Sequence, residues 1–219
     1  VFRKPQQSFW WVVRWIFIAV FFCYAASYAT NIFFMLLEKI TGVQLVQTDF
    51  SAENNTFSQV VNIISITFMA PLFEEILIRG GMLNNIKRFG SWSAVISTGI
   101  FFGLLHMNYP QVPFAAVMGI VTAFIALKTK SIIPTIIVHF IVNGIGGAAS
   151  LITGKLDIKA MQSGDFTTLM EDPKVMVIYM CLTVLVMGLM FVGLLLFILE
   201  IILHRDSFKL EKVYPEVSE

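Results

Sequence analysis

Charge is scarce in this sequence. Asp, Glu, Lys and Arg make up 13% of its 219 residues, about half the share found in soluble domains. With 57% apolar residues and a mean hydropathy of +0.80, the composition excludes an ordinary water-soluble globule. Cysteine is nearly absent: Cys23 and Cys181 each sit inside an apolar run and read as free, buried thiols with no disulfide and no redox role. No basic run accompanies the net charge of +1, so nothing points to nucleic acid. Nucleophile signatures are missing too, since neither Ser65 nor Ser97 lies in Gly-x-Ser-x-Gly, and His-Glu-x-x-His does not occur. There is no internal repeat, low-complexity tract or second domain.

What is present is a series of long apolar runs. A membrane helix needs about 20 mostly apolar residues. Six stretches meet or approach that length: about 10–37, 57–83, 92–107, 111–127, 131–150 and 174–203. Tyr109, Pro110 and Pro113 turn the chain between the third and fourth, and the segments 38–56 and 151–173 are polar connections. The expectation is an all-α, polytopic transmembrane helical bundle of about six spans, one membrane-embedded domain over 1–219, with lipid bilayer as its surroundings. The N-terminal stretch loosely resembles a secretory signal, with Arg3, Lys4 and Arg14 ahead of an apolar run and AASYA. That run continues through NIFFMLL and is long enough to span, so it reads as an uncleaved first span.

Lysine and arginine set the orientation. With the N-terminus inside, the inner loops hold Arg3, Lys4, Lys87, Arg88, Lys128, Lys130, Arg205, Lys209 and Lys212, against Lys39, Lys155, Lys159 and Lys174 outside. Both termini are therefore expected in the cytoplasm, and the protein in the cell membrane. Arg14, near a span end, is expected to snorkel to the interface.

One stretch resists this lipid reading: APLFEEILIRGG, residues 70–81, places Glu74, Glu75 and Arg79 inside a span. Each ionised residue at a helix centre costs about 2.5–3.5 kcal/mol, so three cost on the order of 8–10 kcal/mol if additive. Glu75 and Arg79, at i, i+4, share a face and are expected to pair. Glu74 lies about 100° round the helix and has no partner there. A structural charge network between helices is the bland reading; a Glu-Glu-x-x-x-Arg cluster in a membrane favours a functional one.

Two histidines supply partners. His106 lies in FFGLLHMN and His139 in IIVHFIVNG, while His204 reads as interfacial. Glu74 stands 14 residues before Arg88 and His106 stands 15 after Ser91, so both sit roughly 20–22 Å above the turn joining their helices. His139 and Asn143 fall roughly 13–20 Å above Lys130. The expected layer is shared, with Gly80-Gly81 a candidate interruption of the second helix. His139 with Asn143, and Phe102 with His106, are i, i+4 pairs, and a polar pair on one stripe of a spanning helix implies a facing cavity.

An apolar surrounding raises the basicity of a carboxylate, which suits a general base. A nearby His can hold the same water, and a second His with an Asn offers donors to an oxyanion. The chemistry expected is water-mediated hydrolysis of an amide within the membrane.

The motifs EEILIR (74–79), FGLLH (102–106) and HFIVN (139–143) match Glu-Glu-x-x-x-Arg, Phe-x-x-x-His and His-x-x-x-Asn in order on successive helices. In this the chain resembles the CAAX protease and bacteriocin-processing family (CPBP, also Abi or Rce1-type) of intramembrane proteases, over about residues 57–147. The resemblance implies a glutamate-dependent endopeptidase without cofactor or metal, acting on a membrane-associated peptide or protein. It implies that Glu74 activates water with His106, that His139 and Asn143 stabilise the oxyanion, and that Glu75 and Arg79 support them, with Phe102 beneath His106. The role it suggests is bacterial-type peptide or leader processing, or immunity. Three alternatives stand beside it: a zinc protease using Glu74, His106 and His139 as ligands, a non-catalytic membrane scaffold or immunity protein, and a proton-coupled transporter.

Overall fold

A computed structural model describes residues 2–43, 56–153 and 173–211. Among the described residues the chain is helical throughout. Helix α1 runs Phe9–Thr41, α2 Phe57–Phe89, α3 Ser91–Leu105, α4 Val112–Thr129, α5 Ile133–Thr153 and α6 Pro173–Leu203, followed by a short helical turn at Arg205–Phe208. Five of these are long and apolar enough to cross a membrane. The exception is α3: its 15 residues rise about 22 Å, short of the roughly 30 Å hydrocarbon core. Lys155, Lys159, Lys212 and most of the connections 38–56 and 151–173 fall outside the described residues.

The helix boundaries follow from local chemistry. Ser8 caps α1 by accepting the Trp11 N–H at 3.2 Å, and Gly42 closes it in the left-handed conformation with φ 69°. Pro113 occupies the first turn of α4, where a missing N–H costs nothing. Left-handed residues at Met107 and Lys130 end α3 and α4.

In lipid, apolar burial does not drive helices together, so small residues and close backbones matter more. Helices α3 and α4 meet through Gly99 and Gly119: a Cβ added at Gly119 would lie 2.8 Å from both Cα and O of Gly99. The core between α1, α3 and α4 contains Trp15, Ile18, Cys23, Phe102, Met118 and Phe124, with the Trp15 and Phe124 rings 4.7 Å apart. Large apolar side chains such as Phe33, Leu77, Phe191 and Leu195 cover the outside. Cys181, expected to be buried, is on that outer surface, because its helix offers only one narrow side to the bundle; Cys23 is buried as expected.

Helix α2 is not a regular α-helix. It widens twice into i→i+5 hydrogen bonding, at Ser65–Met69 and Ile76–Met82. Gly80-Gly81 therefore does not interrupt the helix; the chain passes through the pair in the second wide turn. The carbonyls loosened there are taken by side-chain amides: Asn84 donates to Arg79 O and Gly80 O, and Asn85 to Gly81 O.

Two side chains expected at the interface have a partner near the C-terminal end of α6. Arg14, a third exposed, also brings Nη2 to 3.6 Å from Oε2 of the buried Glu200. His204, expected at the interface, also approaches that oxygen at 3.6 Å, and Trp15 Nε1–H donates to Oε1 at 3.2 Å. Glu200 stands one helical turn before His204, which draws both ends of this network into one place.

Candidate active site

The two widened turns of α2 bracket Glu74 and Glu75. Between them the carboxylates have different surroundings. Glu75 is fully buried; Arg79 Nη1 lies 3.2 Å and His139 Nδ1 3.1 Å from its Oε1. Glu74, one residue earlier, keeps 34% of its side chain exposed and meets His139 Nε2 at 3.7 Å. One imidazole thus stands between the two carboxylates, with Nδ1–H donating to Glu75 and Nε2 turned towards Glu74. Oε2 of each glutamate is buried and accepts no hydrogen bond among the described residues.

Arg79 is as buried as its partner. Its Nη2 donates to the Gly119 carbonyl at 3.2 Å and to the Thr122 hydroxyl, and its guanidinium stacks on the Phe102 ring at 4.4 Å from the centroid. Neither Gly119 nor Thr122 belongs to any motif read from the sequence. The only hint was Thr122 itself, a hydroxyl in the apolar run GIVTAF whose place opposite Arg79 depends on how α2 and α4 pack.

Phe102 is the hub of the remaining contacts. Besides Arg79, its fully buried ring meets those of His106 at 5.1 Å and His139 at 5.7 Å, both edge to face. His106, the residue that caps the C-terminus of α3, donates Nδ1–H to the Phe102 carbonyl at 3.0 Å. That bond assigns the lone pair of its neutral form to Nε2. His106 is joined to the carboxylates through Phe102 and not by a direct hydrogen bond or ion pair.

Asn143 sits one turn beyond His139 on α5 and donates Nδ2–H to the Ile66 carbonyl at 3.0 Å. The reason lies in α2. The Ala70 N–H bonds Ser65 O, and Pro71, five residues after Ile66, has no N–H to give. Ile66 O thereby becomes available to a neighbouring helix, and Asn143 takes it. The proline that widens the helix thus also fixes the amide of the third motif.

The structure therefore brings Glu74, Glu75, Arg79 and His139 into direct contact, attaches His106 through Phe102, and anchors Asn143 to the backbone two turns before Glu74. Among the described residues no three His, Cys, Asp or Glu side chains gather closely enough to hold a metal ion. The zinc-ligand set of Glu74, His106 and His139 is not assembled in this geometry.

Residues 56–145 match a family model, that of the type II CAAX prenyl endopeptidase Rce1-like proteins, within the CPBP family. The match begins one residue before α2 and ends two residues after Asn143, so it encloses all three motifs. The resemblance carried by those motifs is thereby shown over that span, and the family is one of endopeptidases. No curated protein and no solved structure was found to match.

Proposed function

We propose, with an Rce1-like domain over residues 56–145 as the premise, that the chain is an intramembrane endopeptidase in which Glu74 activates the attacking water. The observation that supports this most directly is the division of labour between adjacent carboxylates. Glu75 is committed to Arg79 and His139 and is sealed from solvent, whereas Glu74 keeps 34% of its side chain exposed and has only the 3.7 Å approach of His139 Nε2.

In this reading Glu74 takes a proton from water as the water oxygen bonds to the scissile carbonyl carbon. The carbonyl becomes an oxyanion, which is where pre-placed donors matter most. Because Glu75 holds Nδ1 of His139, a donor from that ring to the oxyanion can come only from Nε2, which faces the Glu74 side. Asn143 supplies a second N–H, its amide held by Ile66 O. Collapse of the intermediate breaks the C–N bond, and the proton held by Glu74 passes to the departing amine. His106, with its Nε2 lone pair free, orients the water. Glu75 and Arg79 are positioning residues for His139 and touch no reacting atom.

The substrate class is a membrane-associated peptide or protein, and the role a bacterial-type leader- or peptide-processing or immunity function. In this reading the chain is a multi-pass protein of the cell membrane with both termini in the cytoplasm, which counts the short α3 as a sixth crossing beside the five long apolar helices. The test is mass spectrometry of peptides from cells carrying the wild type or Glu74→Gln. Cleavage products present with the first and absent with the second are expected. Identical peptide sets, with the cellular phenotype retained in both Glu74→Gln and His106→Ala, would instead favour the scaffold reading.

A further inference from the structure

A second polar feature lies at the other end of α2 from Glu74. There a cavity of about 310 Å³ opens between the α2–α3 and α4–α5 turns and the two terminal segments. Six cations line it, namely Arg3, Arg79, Lys87, Lys128, Lys130 and Lys209, against one carboxylate, Glu211. Neither glutamate of the candidate site lines this cavity, nor does His106, His139 or Asn143; Arg79 alone is common to both.

The fold holds these charges together by design of the backbone. Ser131 Oγ–H donates to Arg3 O at 2.6 Å, Gln6 N–H to Thr129 O at 2.9 Å and Ser91 Oγ–H to Glu211 O at 2.6 Å. Both terminal segments are thus fastened across the turns. Neutralisation is incomplete, however. Lys130 pairs with Glu211 at 3.1 Å and Lys209 with Asp206 at 2.6 Å. Lys87 and Lys128 hydrogen-bond only neutral acceptors, the Asn84 amide oxygen at 2.8 Å and the Lys209 carbonyl at 2.9 Å, and have no ion pair among the described residues. Arg79, 1% exposed, forms part of the wall with an Nε–H that no acceptor meets.

The surroundings locate the cavity at the edge of the apolar zone. Phe9 and Trp10 at the start of α1, and Phe89 and Trp92 at the α2–α3 turn, are exposed aromatics at this same end. Aromatics of this kind mark the membrane–water interface, and basic pockets between spanning helices on the cytoplasmic side suit anionic headgroups. We propose that this cavity is an oxyanion site that takes a phosphate group, either the headgroup of an anionic phospholipid or soluble phosphate. Because Arg79 lies in its wall and also holds Glu75, an occupant would bear on the same guanidinium that positions His139. The site itself does not depend on the peptidase reading.

The test uses the full chain in phosphatidylcholine nanodiscs, alone, with phosphatidylglycerol added, or with inorganic phosphate added, reading the unfolding temperature and lipid retention in native mass spectrometry. Phosphatidylglycerol should raise the unfolding temperature and be retained by the wild type. Lys87→Gln/Lys128→Gln should bind it about thirtyfold more weakly, the effect expected on losing two cations near the surface. Lys87→Arg/Lys128→Arg should restore binding, and Lys39→Gln/Lys174→Gln, at the other end of the bundle, should bind as the wild type does. A matching shift with inorganic phosphate would assign the site to soluble phosphate. No response to either ligand, or an undiminished response in the glutamine pair, would overturn the proposal. Neither measurement uses peptide cleavage, so failure here is distinct from failure of the catalytic reading.

Discussion

Glu75 and Glu200 are both buried carboxylates on apolar helices, and each has an arginine and a histidine close by. At Glu200 both oxygens are engaged: Trp15 donates to one, and Arg14 and His204 approach the other. At Glu75 one oxygen carries Arg79 and His139 together, the other accepts nothing, and a second, half-open glutamate stands beside it. Charge inside an apolar helix is therefore not the mark of a reaction site. The mark is a carboxylate oxygen left over after the structural partners are counted, because unfilled buried acceptors are costly unless they are used.

The sharpest way to separate the two clusters is Glu74→Gln against Glu200→Gln. Loss of a general base typically removes about 10²–10⁴-fold in rate, so Glu74→Gln should lower kcat/KM by about that much. Its unfolding free energy should change by about 1 kcal/mol or less, because glutamine keeps the shape of the side chain and alters only the 3.7 Å approach to His139 Nε2. Glu200→Gln should do the reverse, retaining activity per folded molecule while unfolding at a lower temperature. Comparable loss of activity in both would erase the distinction.

The arginines give the next largest contrast. Arg79→Ala leaves Glu75 buried with His139 alone, and removing one partner of a buried pair costs about 3–5 kcal/mol. Arg14 is 33% exposed and Glu200 keeps Trp15 and His204, so Arg14→Ala should cost clearly less. Chemical denaturation of both variants in the same detergent reads the difference, and equal losses would count against it.

Much of this was visible in the sequence, and the reasons are particular. The spans follow from apolar length, and the Glu75–Arg79 pair from i, i+4 spacing, because both properties belong to a single helix. Counting residues from the turns gave Glu74 and His106 a common expected depth, with His139 and Asn143 in the same layer. Glu200 was not singled out: in LFILEIIL it looks like one more interfacial charge, and its partners come from α1, 185 residues away at Trp15. Gly119 and Thr122 were unreadable for the same reason, since the helix crossing decides what Arg79 meets. The widened turns were hidden because Pro71 and Gly80-Gly81 are equally compatible with a broken helix.

Helix crossing supplies a smaller test. Gly119→Ala would drive a Cβ into the Gly99 backbone and displace the carbonyl that holds Arg79. Overpacking of this kind costs about 1–3 kcal/mol. Gly146→Ala, where an added Cβ meets nothing within 4 Å, should be close to neutral in the same unfolding assay. The smallest expected effect is that of a strong chelator, which should leave cleavage by the purified protein unchanged. Inactivation that zinc reverses would break the assignment of the water to Glu74 alone.

The wide turns of α2 carry one last consequence, for what kinds of change the site can survive. Each turn holds one residue more than an α-helix would need. Deleting one residue within 65–69 would let the helix relax to regular pitch with the faces on either side nearly kept, because four α-helical residues sweep about the angle that the five wide ones do. Deleting one within Ala70–Glu75, where the helix is regular, would instead swing the upstream residues about 100° round from the glutamates and take Ile66 O away from Asn143. Among related sequences, one-residue differences in length should therefore collect in the wide turns and be missing between them.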